Sequence, residues 1–201
     1  LKSSGTCPVT TFMSLRSTRQ NWITSRVMHL FDRNTNRIAS FILLLCFFHP
    51  ISHSIYQIGT ELRNNGYSSA TIGTQNAFGD NQLDVDVKTD EVMFNAMKAS
   101  KLVHVAASEE NPIEIDCNFC HVNGREGFSC AFDPLDGSSI IDANMAVGTI
   151  MGIWPGNTLL NRSGREQVCS LVVQYGPKVT MALAFNGRTV TLLCLYYSLA
   201  Q

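Results

Sequence analysis

What this chain lacks narrows its function before any motif is read. With 15 Lys and Arg against 16 Asp and Glu, its 201 residues carry a formal net charge of −1. That balance argues against a nucleic-acid binder, whose footprint is a basic surface. The charge-free apolar run from Ile38 to Phe48 is too short to span a bilayer as a helix, which takes about 20 residues. Internal repeats and low-complexity tracts are absent. Seven cysteines, an odd number at irregular spacing, do not make a disulfide framework in a chain of this length. Acidic residues are missing from residues 1–31, which carry Lys2, Arg16, Arg19 and Arg26 among many Ser and Thr. Such composition is that of a targeting segment.

What is present begins with a hydrophobic content of 45%, enough for one globular domain with a sizeable core. Ile38 to Phe48 has the length of a signal-peptide core, with Arg33 and Arg37 before it and Ser52-His53-Ser54 after it as a small-residue cleavage site. A buried helix and a wrongly joined segment are the alternatives. The expected division is a leader over residues 1–54 and a domain over residues 55–201. A cytoplasmic location is expected, with a plastid or another organelle as the alternative that the leader raises.

The most informative stretch is Phe132-Asp133-Pro134-Leu135-Asp136-Gly137-Ser138-Ser139. Gly127 to Phe132 is small or apolar and bounded by turn formers, so it reads as a buried strand that delivers Asp133 at its carboxyl end. Mg²⁺ takes hard oxygen ligands and is usually held by one or two carboxylates together with the substrate phosphate. Asp133 and Asp136 fit that role. Pro134 stiffens the turn so that both carboxylates, and the Leu135 carbonyl, point to one side. Gly137, Ser138 and Ser139 then offer small residues at the first turn of a short helix through Ile140-Ile141-Asp142, where backbone N–H groups meet an anion. Asp/Gly/Ser-rich turns are common, but a chance match to all six defining positions is on the order of 10⁻⁸ per starting point. The functional reading outweighs the bland one.

This segment resembles the signature of the Mg²⁺-dependent sugar bisphosphatases of the fructose-1,6-bisphosphatase and inositol monophosphatase superfamily. Ala107-Ser108-Glu109-Glu110 and Phe78-Gly79-Asp80-Asn81-Gln82-Leu83-Asp84-Val85-Asp86 resemble two further elements of that family. Val147 to Gly156, and Gln167-Val168 with Tyr175-Gly176-Pro177, look closer to sedoheptulose-1,7-bisphosphatases than to fructose enzymes, in which Asn is expected at Ile140 or Ile141. The resemblance implies an α/β fold of layered sheets and helices, here the N-terminal part without the C-terminal sugar-binding domain. It implies Mg²⁺ as cofactor, held by Glu109, Asp133, the Leu135 carbonyl and Asp136. Asp86 and Glu110 are implied to position and deprotonate the attacking water, with Asp80 assisting. Gly137, Ser138 and Ser139, with Asp136, are implied to bind the departing phosphate. It further implies a sugar bisphosphate substrate and, for the full-length family, a homo-oligomer. A redox-regulatory cysteine pair of plastid relatives has Ser69 and Thr74 at the apparently equivalent positions, so thiol control of that kind is not expected.

Read alone, the upstream acids are ambiguous. Asp84 and Asp86 face the same way on a strand, or serve as ordinary N-terminal acids of a helix. Glu109-Glu110 follows the apolar run Leu102 to Ala107 and reads as a solvated acidic loop. Their order relative to Asp133 lifts them. Asp90 to Ser100 has acids at its start, Lys98 near its end and apolar residues at helical spacing, predicting an amphipathic helix. Strands are expected around residues 102–107, 128–133, 147–153 and 179–185, with Asn186-Gly187 as a hairpin turn. Cys117-Asn118-Phe119-Cys120-His121 formally matches the c-type haem attachment motif, the signature of an electron carrier. Surface thiols in a loop are the competing reading.

Overall fold

The computed structural model describes residues 35–64, 71–75, 81–120, 127–185 and 188–194. Two helices pack against one mixed sheet. Helix α1 spans Thr35–Asn64 and is followed by a small antiparallel pair, β1 (Thr71–Gln75) and β2 (Asn81–Leu83). Helix α2 (Asp84–Ser100) leads into β3 (Val103–Ser108), β4 (Ile115–Asp116) and β5 (Phe128–Asp136). A short 3₁₀ turn (Ser138–Ala143) precedes β6 (Val147–Pro155), β7 (Cys169–Tyr175), β8 (Thr180–Phe185) and β9 (Arg188–Cys194). The seven-stranded sheet runs β4-β3-β5-β6-β7-β8-β9, and within it only β3 and β5 are parallel.

The two faces of the sheet differ because side chains alternate along each strand. Cys130, Ile153 and Cys169 lie in register across β5, β6 and β7, as do Phe132, Met151 and Leu171, and all six are buried. This face receives the helices: Phe94 of α2 meets Phe132 edge-on at 5.2 Å, and Phe47 of α1 meets Phe128 at 6.1 Å. The next row along, Asp133, Ile150 and Val172, belongs to the opposite face, where Ile150 and Val172 are exposed. On α1, Phe47, Ile51, Ile55 and Ile58 are all buried, the spacing of one helical stripe.

That stripe bears on the expected division at residue 54. Helix α1 runs through this position without a break and places Phe47 and Ile51 in the same core as Ile55 and Ile58. Residues 47–58 thus lie in a helix whose apolar stripe is buried in the core. Among the described residues no helix is long and apolar enough to cross a membrane. Helix α2 begins at Asp84, six positions before the expected Asp90, because Asp86 reaches back to accept the Leu83 N–H at 3.2 Å and ties down the free amide at the helix start. The tail pairs as expected, with Phe185 opposite Arg188 across the two-residue Asn186-Gly187 connection. Residues Leu192 to Cys194 belong to β9, which pairs with β8.

Candidate active site

Parallel pairing of β3 with β5 brings two distant acids together. Ser108 stands opposite Phe132 at the carboxyl ends of these strands, so the next residues, Glu109 and Asp133, emerge side by side. The Glu109 N–H donates to the Phe132 carbonyl at 3.2 Å and fixes the junction. The Glu109 carboxyl stands against that of Asp133 and acts on it both directly and through its charge. Burial first, then the hydrogen bond and charge of Glu109, push Asp133 up to about 7, against the Leu135 N–H, with Asp136 adding to the rise. Carboxyls crowded in this way resist joint ionisation.

A bulge sets the third acid. Asp133 pairs with Ile150 and Asp136 with Gly148, so three steps on β5 match two on β6. Residues three apart on a regular strand point to opposite faces; one extra residue returns Asp136 to the face of Asp133. Pro134 sits inside this bulge, where it has no ladder bond to donate. The Leu135 N–H donates to Asp133 Oδ1 at 2.9 Å, and the Thr149 hydroxyl donates to the Pro134 carbonyl at 2.8 Å. The sequence expectation that both carboxylates share one side holds, with the bulge as its cause.

Helix α2 supplies Asp86, which is buried. Burial raises its pKa, while the Ser138 hydroxyl and the Leu83 N–H, both donors to it, act in the opposite sense and the Glu109 charge adds to the rise. The start of α2, the end of β3 and the turn after β5 thus meet around one carboxylate. Asp84 is directed elsewhere: it pairs at the surface with Lys88. Of the two readings open for Asp84 and Asp86, the helix start is the one observed, and positions two apart on a helix diverge.

Gly137 adopts φ 82° and opens the 3₁₀ turn that begins at Ser138. A left-handed residue there suits glycine, and it swings the chain so that Ser138 faces Asp86. Ser138 is half-buried and Ser139 exposed, Asp136 and Glu109 are exposed, and Glu110 is half-buried in the turn after β3. The Leu135 side chain is buried. Asp80 lies outside the described residues. An open depression of ≈ 460 Å³ beside these groups is lined by Ala107, Glu109, Pro112, Ala131, Asp133 and Ile150, among others.

Among the described residues no three His, Cys, Asp or Glu side chains converge closely enough to hold a metal ion by themselves. The donor set nevertheless fits Mg²⁺, which keeps several waters and asks for only one or two carboxylates beside a phosphate. Crowded carboxyls, one of them held above its usual range, are a charge arrangement that a divalent cation would relieve.

Sequence reading assigned no site role to Asp90, Ser108, Asn111 or Thr149. Asp90 is buried on α2, and its position four residues after Asp86, in line with the buried Met93 and Met97, is a same-face signal that could have found it. The haem motif is corrected. Cys117 is fully buried with its thiol against the Ile115 carbonyl at 3.5 Å; burial pushes that thiol up to about 11. A sulfur so placed is neither a surface thiol nor open to covalent attachment of a cofactor.

The chain matches the family described as Fructose-1-6-bisphosphatase, N-terminal domain, over residues 33–198. It is 48% identical over 119 residues to the chloroplastic sedoheptulose-1,7-bisphosphatase of Chlamydomonas reinhardtii, covering 59% of this chain and 29% of that protein. To a class 1 fructose-1,6-bisphosphatase of Trichlorobacter lovleyi it is 44% identical over 154 residues, covering 76% of this chain and 45% of the relative. A crystal structure named for a sedoheptulose-1,7 bisphosphatase of Toxoplasma gondii superposes with a TM-score of 0.65 at 30% identity, covering 85% of this chain and 57% of that one. The chain thus spans less than half the length of these curated relatives. With a match that includes α1, α2 and the whole seven-stranded sheet, this α/β chain belongs to the fructose-1,6-bisphosphatase family of sugar bisphosphatases, as an N-terminal domain.

Proposed function

We propose that this chain carries the metal and phosphate half of a sugar-bisphosphate phosphomonoesterase, acting with Mg²⁺ on a sedoheptulose-1,7-bisphosphate-like substrate. The observation that carries the reading is that parallel pairing of β3 with β5 sets Glu109 beside Asp133, with Asp136 turned to the same face by the bulge. Glu109, Asp133, Asp136 and the Leu135 carbonyl are the groups that would hold Mg²⁺. Bound there, the ion would act as a Lewis acid that neutralises charge on the phosphoryl oxygens.

The remaining steps fall to the chain's own residues. Asp86, whose proton affinity burial raises, is suited to accept a proton from the attacking water, since a general base works best when its pKa approaches the working pH. Ser138 orients that carboxylate through its hydroxyl. Glu110, one residue beyond Glu109, is assigned a part in aligning the water, and Asp80 an assisting role, on the resemblance alone. The backbone at Gly137, Ser138 and Ser139, at the start of the 3₁₀ turn, would receive the departing phosphate through N–H groups.

Fructose-1,6-bisphosphate is the alternative substrate, supported by the class 1 relatives. A homo-oligomeric assembly follows from the family resemblance. The chloroplastic names of two relatives and the acid-free segment 1–31 support a plastid location beside the cytoplasmic one. The test is phosphate release from both sugar bisphosphates, each with and without Mg²⁺. Mg²⁺-dependent release, faster with the seven-carbon sugar, is expected. Equal background rates in all four arms remove the catalytic reading, and retained Mg²⁺ binding without turnover leaves a metal-binding domain.

A further inference from the structure

We propose that Asp90 is a positioning residue, which anchors the turn Ser108-Glu109-Glu110-Asn111 to helix α2 and so fixes where the two glutamates stand. The inference rests on the reading of Glu109 as a cation ligand, and extends it to a residue that makes no contact with cation or substrate.

The turn is closed on itself twice. The Ser108 N–H donates to the Asn111 carbonyl at 2.9 Å, and the Asn111 N–H donates to the Ser108 hydroxyl oxygen at 3.0 Å. Closure alone leaves the turn free to swing about its ends. Two further bonds fix it to the body of the protein: the Glu109 N–H to the Phe132 carbonyl on β5, and the Asn111 side-chain amide to Asp90 Oδ2 at 2.6 Å. The first holds the near end to the sheet and the second holds the far end to the helix. Glu109 carries the first anchor on its own backbone, and Glu110 lies between it and the second.

Asp90 is a costly choice for a merely structural tie. Its carboxyl is buried and its Oδ1 has no hydrogen-bond partner among the described residues. Burial raises its pKa against the opposing influence of Ser108 and Asn111. A buried, half-satisfied carboxylate normally loses stability relative to an apolar side chain of similar volume. What it contributes here is a short directional bond to one side chain, and groups behind metal ligands typically change affinity 10- to 100-fold when removed. Asp86, one helical turn earlier on the same face, enters the site itself, so a single helix edge supplies both a reacting carboxylate and the support for its neighbours.

The experiment compares the parent chain, Asp90→Ala and Asp90→Asn in two readouts. Mn²⁺ binding is followed by its electron paramagnetic resonance signal, and amide hydrogen exchange is followed at Ser108 and Asn111. Asp90→Ala is expected to weaken Mn²⁺ binding at least about tenfold and to speed exchange at both amides, with far-UV circular dichroism unchanged. Asp90→Asn keeps an oxygen acceptor for Asn111 and is expected to restore both readouts to within about threefold of the parent, and it also covers the case in which the alanine variant fails to fold. Parent-like binding and exchange in Asp90→Ala overturn the proposal. So does an asparagine variant as impaired as alanine, since charge rather than anchoring is then at work. A parent that binds no Mn²⁺ removes the cation reading of Glu109 instead, and exchange then decides the anchoring: unchanged rates in Asp90→Ala overturn it, faster rates sustain it.

Discussion

The Thr149 hydroxyl donates to the Pro134 carbonyl at 2.8 Å, and this bond crosses from β6 to the bulge that aims Asp133 and Asp136. Thr149 has one proton to give, so the Tyr175 hydroxyl, 2.8 Å away, must donate to Thr149 in turn. Burial pushes the Tyr175 phenol well up, which keeps it a donor. Replacing Thr149 by Val leaves a buried carbonyl and a buried phenol unsatisfied, a loss of about 1–3 kcal/mol for such groups. Urea unfolding of Thr149→Val is expected to show that loss, while Thr149→Ser stays near the parent. Equal midpoints for Val and parent would mean that the chain of bonds does not stabilise the bulge.

A second prediction concerns Gly148, which lies opposite Asp136. A Cβ built there meets the Val173 carbonyl oxygen at 2.5 Å, and backbone of a central strand cannot step aside. Gly148→Ala is expected to cost about 1–3 kcal/mol, the range for overpacking in a well-packed interior. Gly164, whose added Cβ meets nothing within 4 Å, is the control and should stay within about 0.5 kcal/mol of the parent, as exposed substitutions do. The comparison is one of urea midpoints, and equal losses at both sites would count against the steric account.

These two sites show where sequence was sufficient and where it was not. Asp133 to Ser139 was legible because its information is local: residue types at fixed spacing around one proline. The bulge was not, since it exists only in the register between β5 and β6. Asp90 was read as an ordinary helix-start acid because its partner Asn111 lies in another element. Helix α1 was obscured by the charge-free run Ile38 to Phe48, which in isolation has the composition of a signal-peptide core; only the continuation through Ile51, Ile55 and Ile58 discloses one buried stripe. Strand β7 went unassigned although its buried positions Cys169, Leu171, Val173 and Tyr175 alternate, the period-2 signal of a strand.

Glu114 offers a third prediction, away from the chemistry. Its Oε1 accepts from the Thr158 hydroxyl and from the Leu159 and Leu160 N–H groups. Burial would raise its pKa, but these three donors outweigh it and hold the carboxyl below the usual range. A lowered folded-state value means that the contribution to stability is present above the unfolded pKa and lost as pH falls through the folded one. Glu114→Ala should free the segment around Leu160 and speed tryptic cleavage after Arg162 severalfold. Cleavage at the parent rate would show that the carboxylate does not hold this loop.

The last prediction joins pH to cation binding. Asp133 is pushed from 3.8 up to about 7, by burial first and by its hydrogen bond and charge contact with Glu109 next. The folded chain therefore binds this proton more tightly than the unfolded chain does. Its contribution to stability is fully present below the unfolded value and is lost as pH rises through about 7. Without divalent cation, thermal stability should decline across that window, and Asp133→Asn, which cannot ionise, should flatten the decline. Mg²⁺ competes with the proton for the same oxygens, so its stabilising effect should be small at about pH 5 and larger at about pH 8. Differential scanning calorimetry of parent and Asp133→Asn, with and without Mg²⁺ at both pH values, measures all of this. A Mg²⁺ effect of equal size at the two pH values, or one that survives in Asp133→Asn, would place the cation elsewhere than at the Glu109 and Asp133 pair.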